Sequence, residues 1–330
     1  MLLGREPLEP VAALEHAFTS ARRGLPSLIC FGIFGMLCEP ILIQRAQAQS
    51  RGVYPLGMSA INSGITPEPG FSYSNQLILY SRDEVKDNNG SRVPITGSNT
   101  VLMDLNSLIW VSTKTILGGA HYSAIATLPF AKNDLTSDIH GNISGGGGFA
   151  DSYYVPVILG WNAKRAAFRV LYGFLAPTGR FAAEANDNVG SGYWTHALSS
   201  GQTFYLTKGK SLAASAFEMY EFHTMQEVTK TNPGDTFNLD YSATRAFSLR
   251  SVQLQIGVVG YEQRQTTAKT GPAITPDQSK ERYAVNAVGF ASTVAIPSRK
   301  LNLGIKFFEE FANRATFQGY SLQISGAVSF

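Results

Sequence analysis

Few side chains in this chain have types and spacings that could do chemistry. Its five histidines are scattered. His121, His140, His196 and His223 lack the close-spaced partners, such as H-x-x-x-H, that hold a metal ion. No G-x-S-x-G nucleophile elbow, P-loop or G-x-G-x-x-G fingerprint occurs after residue 50. His196 with nearby Ser199 or Ser200 is the one pair that a hydrolase on an outer wall could use, and nothing around it singles it out. The two cysteines, Cys30 and Cys38, both lie in the first forty residues. No enzyme, cofactor or metal site is therefore expected, because function has to be argued from a site.

The remaining chemistry is selection by polar groups set among apolar ones. Asp104 and Asn106 stand in alternation with Val101, Met103 and Leu105, and Arg169 lies between Phe168 and Val170. Gln253, Gln255, Asn286, Lys306 and Glu310 follow the same logic on later segments. If these segments are strands in a membrane, the polar phase faces a lumen. An Arg or Lys on the lipid side at mid-barrel would cost about 2–4 kcal/mol. These eight residues are the candidate lumen lining, where they either select what passes or merely pair across a filled interior.

The elements that position them are strands. No stretch after residue 50 has 18 consecutive apolar residues, so no helix there is expected to span a membrane. Alternation at period two recurs instead, broken by Gly, Asn, Asp and Pro. It predicts strands at 70–82, 100–112, 119–130, 151–162, 166–177, 193–207, 211–226, 236–247, 252–264, 281–296, 301–311 and 317–330. Each is close to or longer than the ~9–11 residues that a tilted membrane strand needs. Segment 211–226 has acids on both phases, Glu218 and Glu221, and takes no orientation from sequence. Tyr80, Phe130, Tyr153, Tyr154, Trp161, Tyr193, Trp194 and Phe247 lie near strand ends, as interfacial girdles would.

The connections discriminate further. Those at 113–118, 163–165, 208–210, 248–251 and 297–300 are short; those between, apart from 312–316, are long and polar. This is the asymmetry of an antiparallel transmembrane β-barrel with short periplasmic turns and long extracellular loops. On the final segment Tyr320, Leu322, Ile324, Val328 and the terminal Phe330 share one face. Such a face reads as a signal for the barrel-assembly machinery. An all-β fold of about twelve strands over 70–330 is the expectation. Charged residues at 15%, against about 25% in soluble domains, suit a chain whose apolar phase meets outer-membrane lipid. A net charge of +3 without a basic cluster gives no reason to expect a nucleic-acid partner.

Residues 1–48 read as an N-terminal extension and signal peptide. Arg22 and Arg23 precede an apolar run from Leu25 to Leu37, and Ala46-Gln47-Ala48 forms a small-x-small cleavage site. Residues 49–69, with Pro55, Pro67 and Pro69, show no alternation. They are expected to be either a periplasmic tail or a lumen plug.

Several runs resemble motifs of the meta-pathway phenol-degradation outer-membrane family. These are Gly148-Phe149-Ala150-Asp151, Pro156 with Leu159-Gly160-Trp161, Ala176-Pro177-Thr178-Gly179, Gly192-Tyr193-Trp194, and Gly260-Tyr261-Glu262-Gln263. The resemblance covers residues 65–330 and implies a Gram-negative outer-membrane channel for small aromatic or hydrophobic solutes. The alternative expectation is a structural or adhesive barrel whose outer loops bind a partner.

Overall fold

The computed structural model describes residues 52–330, apart from 94–96, 138–140, 145, 184 and 186–187. The segment expected to be a signal peptide, both cysteines, His140 and Gly145 lie outside the described residues. Twelve long strands follow one another: β1 (Gly70–Lys86), β2 (Gly97–Ile116), β3 (Ala120–Ser137), β4 (Ser152–Asn162), β5 (Ala166–Ala176), β6 (Thr195–Tyr205), β7 (Leu212–His223), β8 (Thr236–Leu249), β9 (Val252–Gln265), β10 (Ala284–Ile296), β11 (Leu301–Glu310) and β12 (Thr316–Ser329). Two short pieces, Gly141–Ser144 and Gly148–Phe149, pair with the outer part of β3.

Each strand pairs antiparallel with the next, and β1 pairs with β12 from Ser72 opposite Ser329 to Lys86 opposite Thr316. The ring is closed. Phe330 adds a final bond, its amide donating to the Phe71 carbonyl at 2.9 Å. Closure is what lipid demands, since an open edge would leave amides and carbonyls with nothing to bond. The sequence-derived strands agree with these to within a few residues, except where β1, β2 and β3 run on past the belt at the long-loop rim. A short helix, Pro276–Lys280, capped by Thr275, lies in the loop before β10.

Registry assigns every side chain to a face. Phe71, Leu108, Val170, Leu198, Phe290 and Ile324 are all outward and exposed, forming the apolar belt. Tyr320, Leu322, Ile324, Val328 and Phe330 belong to this outer face, opposite inward Ser321 and Gln323 on the same strand. Phe130, Tyr154, Trp161, Trp194 and Phe247 also point outward, but Tyr80, Tyr153 and Tyr193 point into the barrel. One extra residue, Pro156, interrupts the pairing of β4 with both neighbours. A proline has no amide to give a ladder, so a bulge is where a strand tolerates it.

The interior is packed. Residues 52–69 precede β1 and run inside the ring, with Tyr54, Leu56, Ala60, Ser63 and Thr66 all buried. Tyr54, Leu56 and Ala60 join inward residues of β6, β7, β9, β10 and β11 in one apolar cluster, including Phe217, Val259, Tyr261 and Phe308. Met58 packs on a second cluster of Ile78, Tyr80 and Leu105 from β1 and β2. Phe308 is fully buried, with its ring centroid 4.9 Å from that of Tyr261. Replacing Phe308 with Ala is expected to destabilise the barrel by about 3–5 kcal/mol. A urea titration followed by the heat-modifiable gel shift of the folded form measures the loss.

Candidate functional site

The inner segment is fastened by side chains of the barrel rather than by a ladder. At the long-loop end the Gly52 amide donates to the Tyr283 hydroxyl. The Tyr54 amide donates to Glu221 Oε1 at 2.9 Å. Asp240 then gathers three donors: the Tyr54 hydroxyl at 2.6 Å, the Gly57 amide at 2.9 Å and the Ser59 amide at 3.0 Å. Lys306 grips the same turn from the opposite polarity, its Nζ donating to the Gly57 and Met58 carbonyls at 2.6 and 2.8 Å. Gln323 Nε2 donates to the Leu56 carbonyl at 2.7 Å. Gly57 makes this turn with φ of +81°, where a side chain would also strike the Phe308 ring.

Lower down, Asn62 and Gln255 exchange amide bonds at 3.0 and 3.2 Å. Arg169 Nε donates to the Ser63 carbonyl at 2.7 Å, and the Gly64 amide donates to Thr203 Oγ1 at 3.0 Å. At the short-turn end Asn162 bonds both the amide and the carbonyl of Thr66. The segment thus passes from one end of the barrel to the other. Its backbone groups there are met one at a time by Glu221, Asp240, Lys306, Gln323, Arg169, Thr203 and Asn162. Each bond to a charged group is worth about 1.5–3 kcal/mol, so release needs several to break together.

Five of the eight proposed lumen residues have inward phase. Arg169, Gln255 and Lys306 bind the inner segment directly, and Gln253 lies near the short-turn rim. Glu310 is inward but spoken for: it pairs with Arg82 Nε at 3.0 Å and also accepts from Tyr261 and Asn313. Asp104, Asn106 and Asn286 are corrections. Asp104 lies opposite Leu77 and Phe130, and Asn106 opposite Asn75 and Leu128, all on the outer face. There Asn75 donates to Asp104 and Asn106, and the Tyr73 hydroxyl donates to Asn106 at 2.6 Å. The expectation turned the polar phase of this strand toward the lumen, whether open or filled. Met58 packs beside Ile78, Tyr80 and Leu105 on the inner side of β1 and β2, where Val101, Met103 and Leu105 turn inward and the polar phase turns out. Asn286 also has outward phase, above the belt. It accepts from Arg264 at 2.6 Å and donates to the Phe311 and Ala312 carbonyls, tying the last loop.

The sequence left β7 without an orientation; registry turns Glu221 inward and Glu218 outward. Glu218 accepts from Ser200 at 2.8 Å and Gln202 at 2.9 Å, a second polar cluster on the outer face. His196 bonds the Tyr172 hydroxyl instead of a serine. It and Ser200 sit four residues apart on one strand, roughly 13 Å at the strand rise. Ser199 faces the opposite way, into the barrel. The residues that hold the inner segment and were not singled out from sequence are Asn162, Thr203, Glu221, Asp240, Tyr283 and Gln323. Asp240 was visible as a polar position opposite Leu239 and Tyr241, but nothing in one strand shows that Lys306 meets it at the same turn.

The inner wall has two halves. From β6 to β12 the inward positions are largely polar and closely covered: Thr195, Thr203, Glu221, Asn238, Asp240 and Gln323 are all buried. From β2 to β5 they are largely apolar. Val101, Met103, Ile109, Ile125, Leu171 and Leu175 point inward yet stay only half-buried. The inner segment makes most of its polar bonds to the first half, so accessible apolar surface remains along the second.

The family described as MetA-pathway of phenol degradation matches residues 82–325. Among solved structures, the COG4313 outer membrane channel from Pseudomonas putida F1 superposes with a TM-score of 0.62 at 13% identity, covering 82% of this chain and 98% of that one. The β domain of the Bordetella autotransporter BrkA gives 0.48 at 12% identity, covering 80% and 100%. The CymD monoaromatic hydrocarbon channel gives 0.34 at 10% identity, covering 80% and 89%. The first of these shares the fold, that of an outer-membrane β-barrel. No curated protein matches the sequence.

The grip on the inner segment is testable through Met58. With Met58 replaced by Cys, a polar thiol reagent is expected to label slowly in the otherwise unchanged protein. Adding Asp240→Ala removes three bonds to a charged acceptor and should speed labelling about tenfold or more. Mass spectrometry over a time course reads the rate.

Proposed function

This chain belongs to the family described as MetA-pathway of phenol degradation, and on that footing we propose that it is an outer-membrane channel for passive uptake of small aromatic or otherwise apolar solutes. The observation that carries this is the half-buried apolar strip from β2 to β5, with Val101, Met103, Ile109, Ile125, Leu171 and Leu175 facing inward. An apolar solute moving along such a wall exchanges water contact for side-chain contact at each step, and no step needs a buried charge. A hydrophilic solute would be favoured on the opposite wall, but that wall is committed to the inner segment. Selectivity then lies in the apolar strip, and Arg169, Gln255 and Lys306 serve to hold the filler rather than to sort cargo.

In this reading the inner segment narrows the barrel to a passage that suits one ring and denies ions a continuous wet path. Its side-chain fastening lets it shift without breaking any strand pairing. The first test is uptake of radiolabelled toluene by intact cells whose other aromatic channels have been deleted, because a lipopolysaccharide leaflet slows such solutes. The full chain should raise uptake, and Met103→Glu or Leu171→Glu should lower it about tenfold, each placing a carboxylate on the strip. Uptake no faster than in cells lacking the protein would sink the proposal. In planar bilayers, removal of residues 52–66 should turn a poorly conducting barrel into one with steady ion current. Unchanged current would deny the segment its part.

A further inference from the structure

The loop motifs Pro177-Thr178-Gly179 and Gly192-Tyr193-Trp194 are not used by the passage just described. They meet at the long-loop rim, beside the loop that follows β7, and line an open pocket of about 290 Å³. Its apolar lining is Pro177, Phe181, Trp194, Met225 and Val228, with Glu227 also at the pocket. Trp194 also meets Phe174 of the outer belt, ring centroids 6.1 Å apart, so the pocket lies where the belt ends.

The loop is built rather than draped. Buried Asp151 accepts the Gly179 amide at 2.9 Å and the Ser191 amide at 2.7 Å, together with the Ser191 hydroxyl. Asn188 closes the loop on itself, accepting from the Ala182 amide at 2.8 Å and donating to its carbonyl at 2.9 Å. Gln226 Nε2 ties the neighbouring loop to the Ser191 carbonyl at 2.6 Å, while the Trp194 amide donates to Thr224 Oγ1 and the Thr224 amide to the Trp194 carbonyl. Gly192 has φ of +72°, and a Cβ there would lie 2.7 Å from the Phe181 ring. Only glycine lets that ring seat itself against the chain.

We propose that this pocket is a collection site for a single aromatic ring, occupied before the solute enters the lumen. Ring faces and edges of Phe181 and Trp194 with the Met225 sulfur form a lining that pairs with a π system in edge-to-face and sulfur–ring contacts. The volume lies just below the roughly 300–1,000 Å³ of drug-sized sites, which suits one ring and small substituents rather than a long chain. Glu227 supplies an acceptor for a ring hydroxyl. This inference rests on the channel reading for its purpose but not for its chemistry.

Trp194 is its own reporter. In the full chain reconstituted in lipid nanodiscs, with Trp110→Phe and Trp161→Phe, toluene and phenol should each quench the remaining fluorescence in a saturable manner. Phe181→Ala and Met225→Glu should each raise the midpoint about tenfold. Met225 is exposed, so the second variant does not depend on core packing, and the heat-modifiable shift confirms that both are folded. Linear, non-saturating quenching, midpoints unmoved in both variants, or saturation by n-hexane at the same midpoint would each overturn the assignment. Saturable binding without cellular uptake keeps the pocket and removes the channel; uptake without saturable binding does the reverse.

Discussion

A backbone amide or carbonyl that meets acyl chains has no water to bond, and each such group left bare costs several kcal/mol. This constraint shapes the protein more than any pair of side chains. It forces β12 back onto β1 through a long antiparallel seam and ties the terminal Phe330 amide to Phe71. It also confines irregular backbone either to the rims or to the interior. Pro156, which cannot donate to a ladder, is accommodated as the single extra residue of a bulge.

The same accounting governs the inner segment, by a different solution. Residues 52–66 have no ladder partner, so their amides and carbonyls are met by side chains from eight strands and by one another. Asp240 and Lys306 act at a single turn, one accepting from its amides and the other donating to its carbonyls. These bonds are separate side-chain contacts, so shifting the segment breaks several of them yet leaves every strand ladder intact. The barrel wall and its filler therefore differ in how readily they move, although both are buried.

The filler also explains an inversion that a simple inside-polar rule misses. Where Met58 lies against β1 and β2, apolar residues face inward and the amide and carboxylate groups of Asn75, Asp104 and Asn106 satisfy each other outside. Ser200, Gln202 and Glu218 form a like outward cluster on β6 and β7, strands whose inward Thr203 and Glu221 are polar as well. On the other half of the wall the polar phase faces in because the segment's backbone needs it. The two halves leave one side of the lumen apolar, with its inward side chains only half-buried.

Read alone, the sequence was enough for the fold class, the twelve strands, their short and long connections, and the shared face of the last strand. Those features follow from period-two alternation and turn residues, which are local. Lys306, Arg169 and Gln255 were legible as inward because their neighbours on each strand are plainly apolar. The orientation of β7, the outward turn of Asp104 and Asn106, and the capping role of Asn286 were not. Each depends on registry with a neighbouring strand or on what occupies the space beyond it, and a single strand carries neither. The meeting of Asp240 and Lys306 at Gly57, across three segments far apart in the chain, exists only once the ring has closed around them.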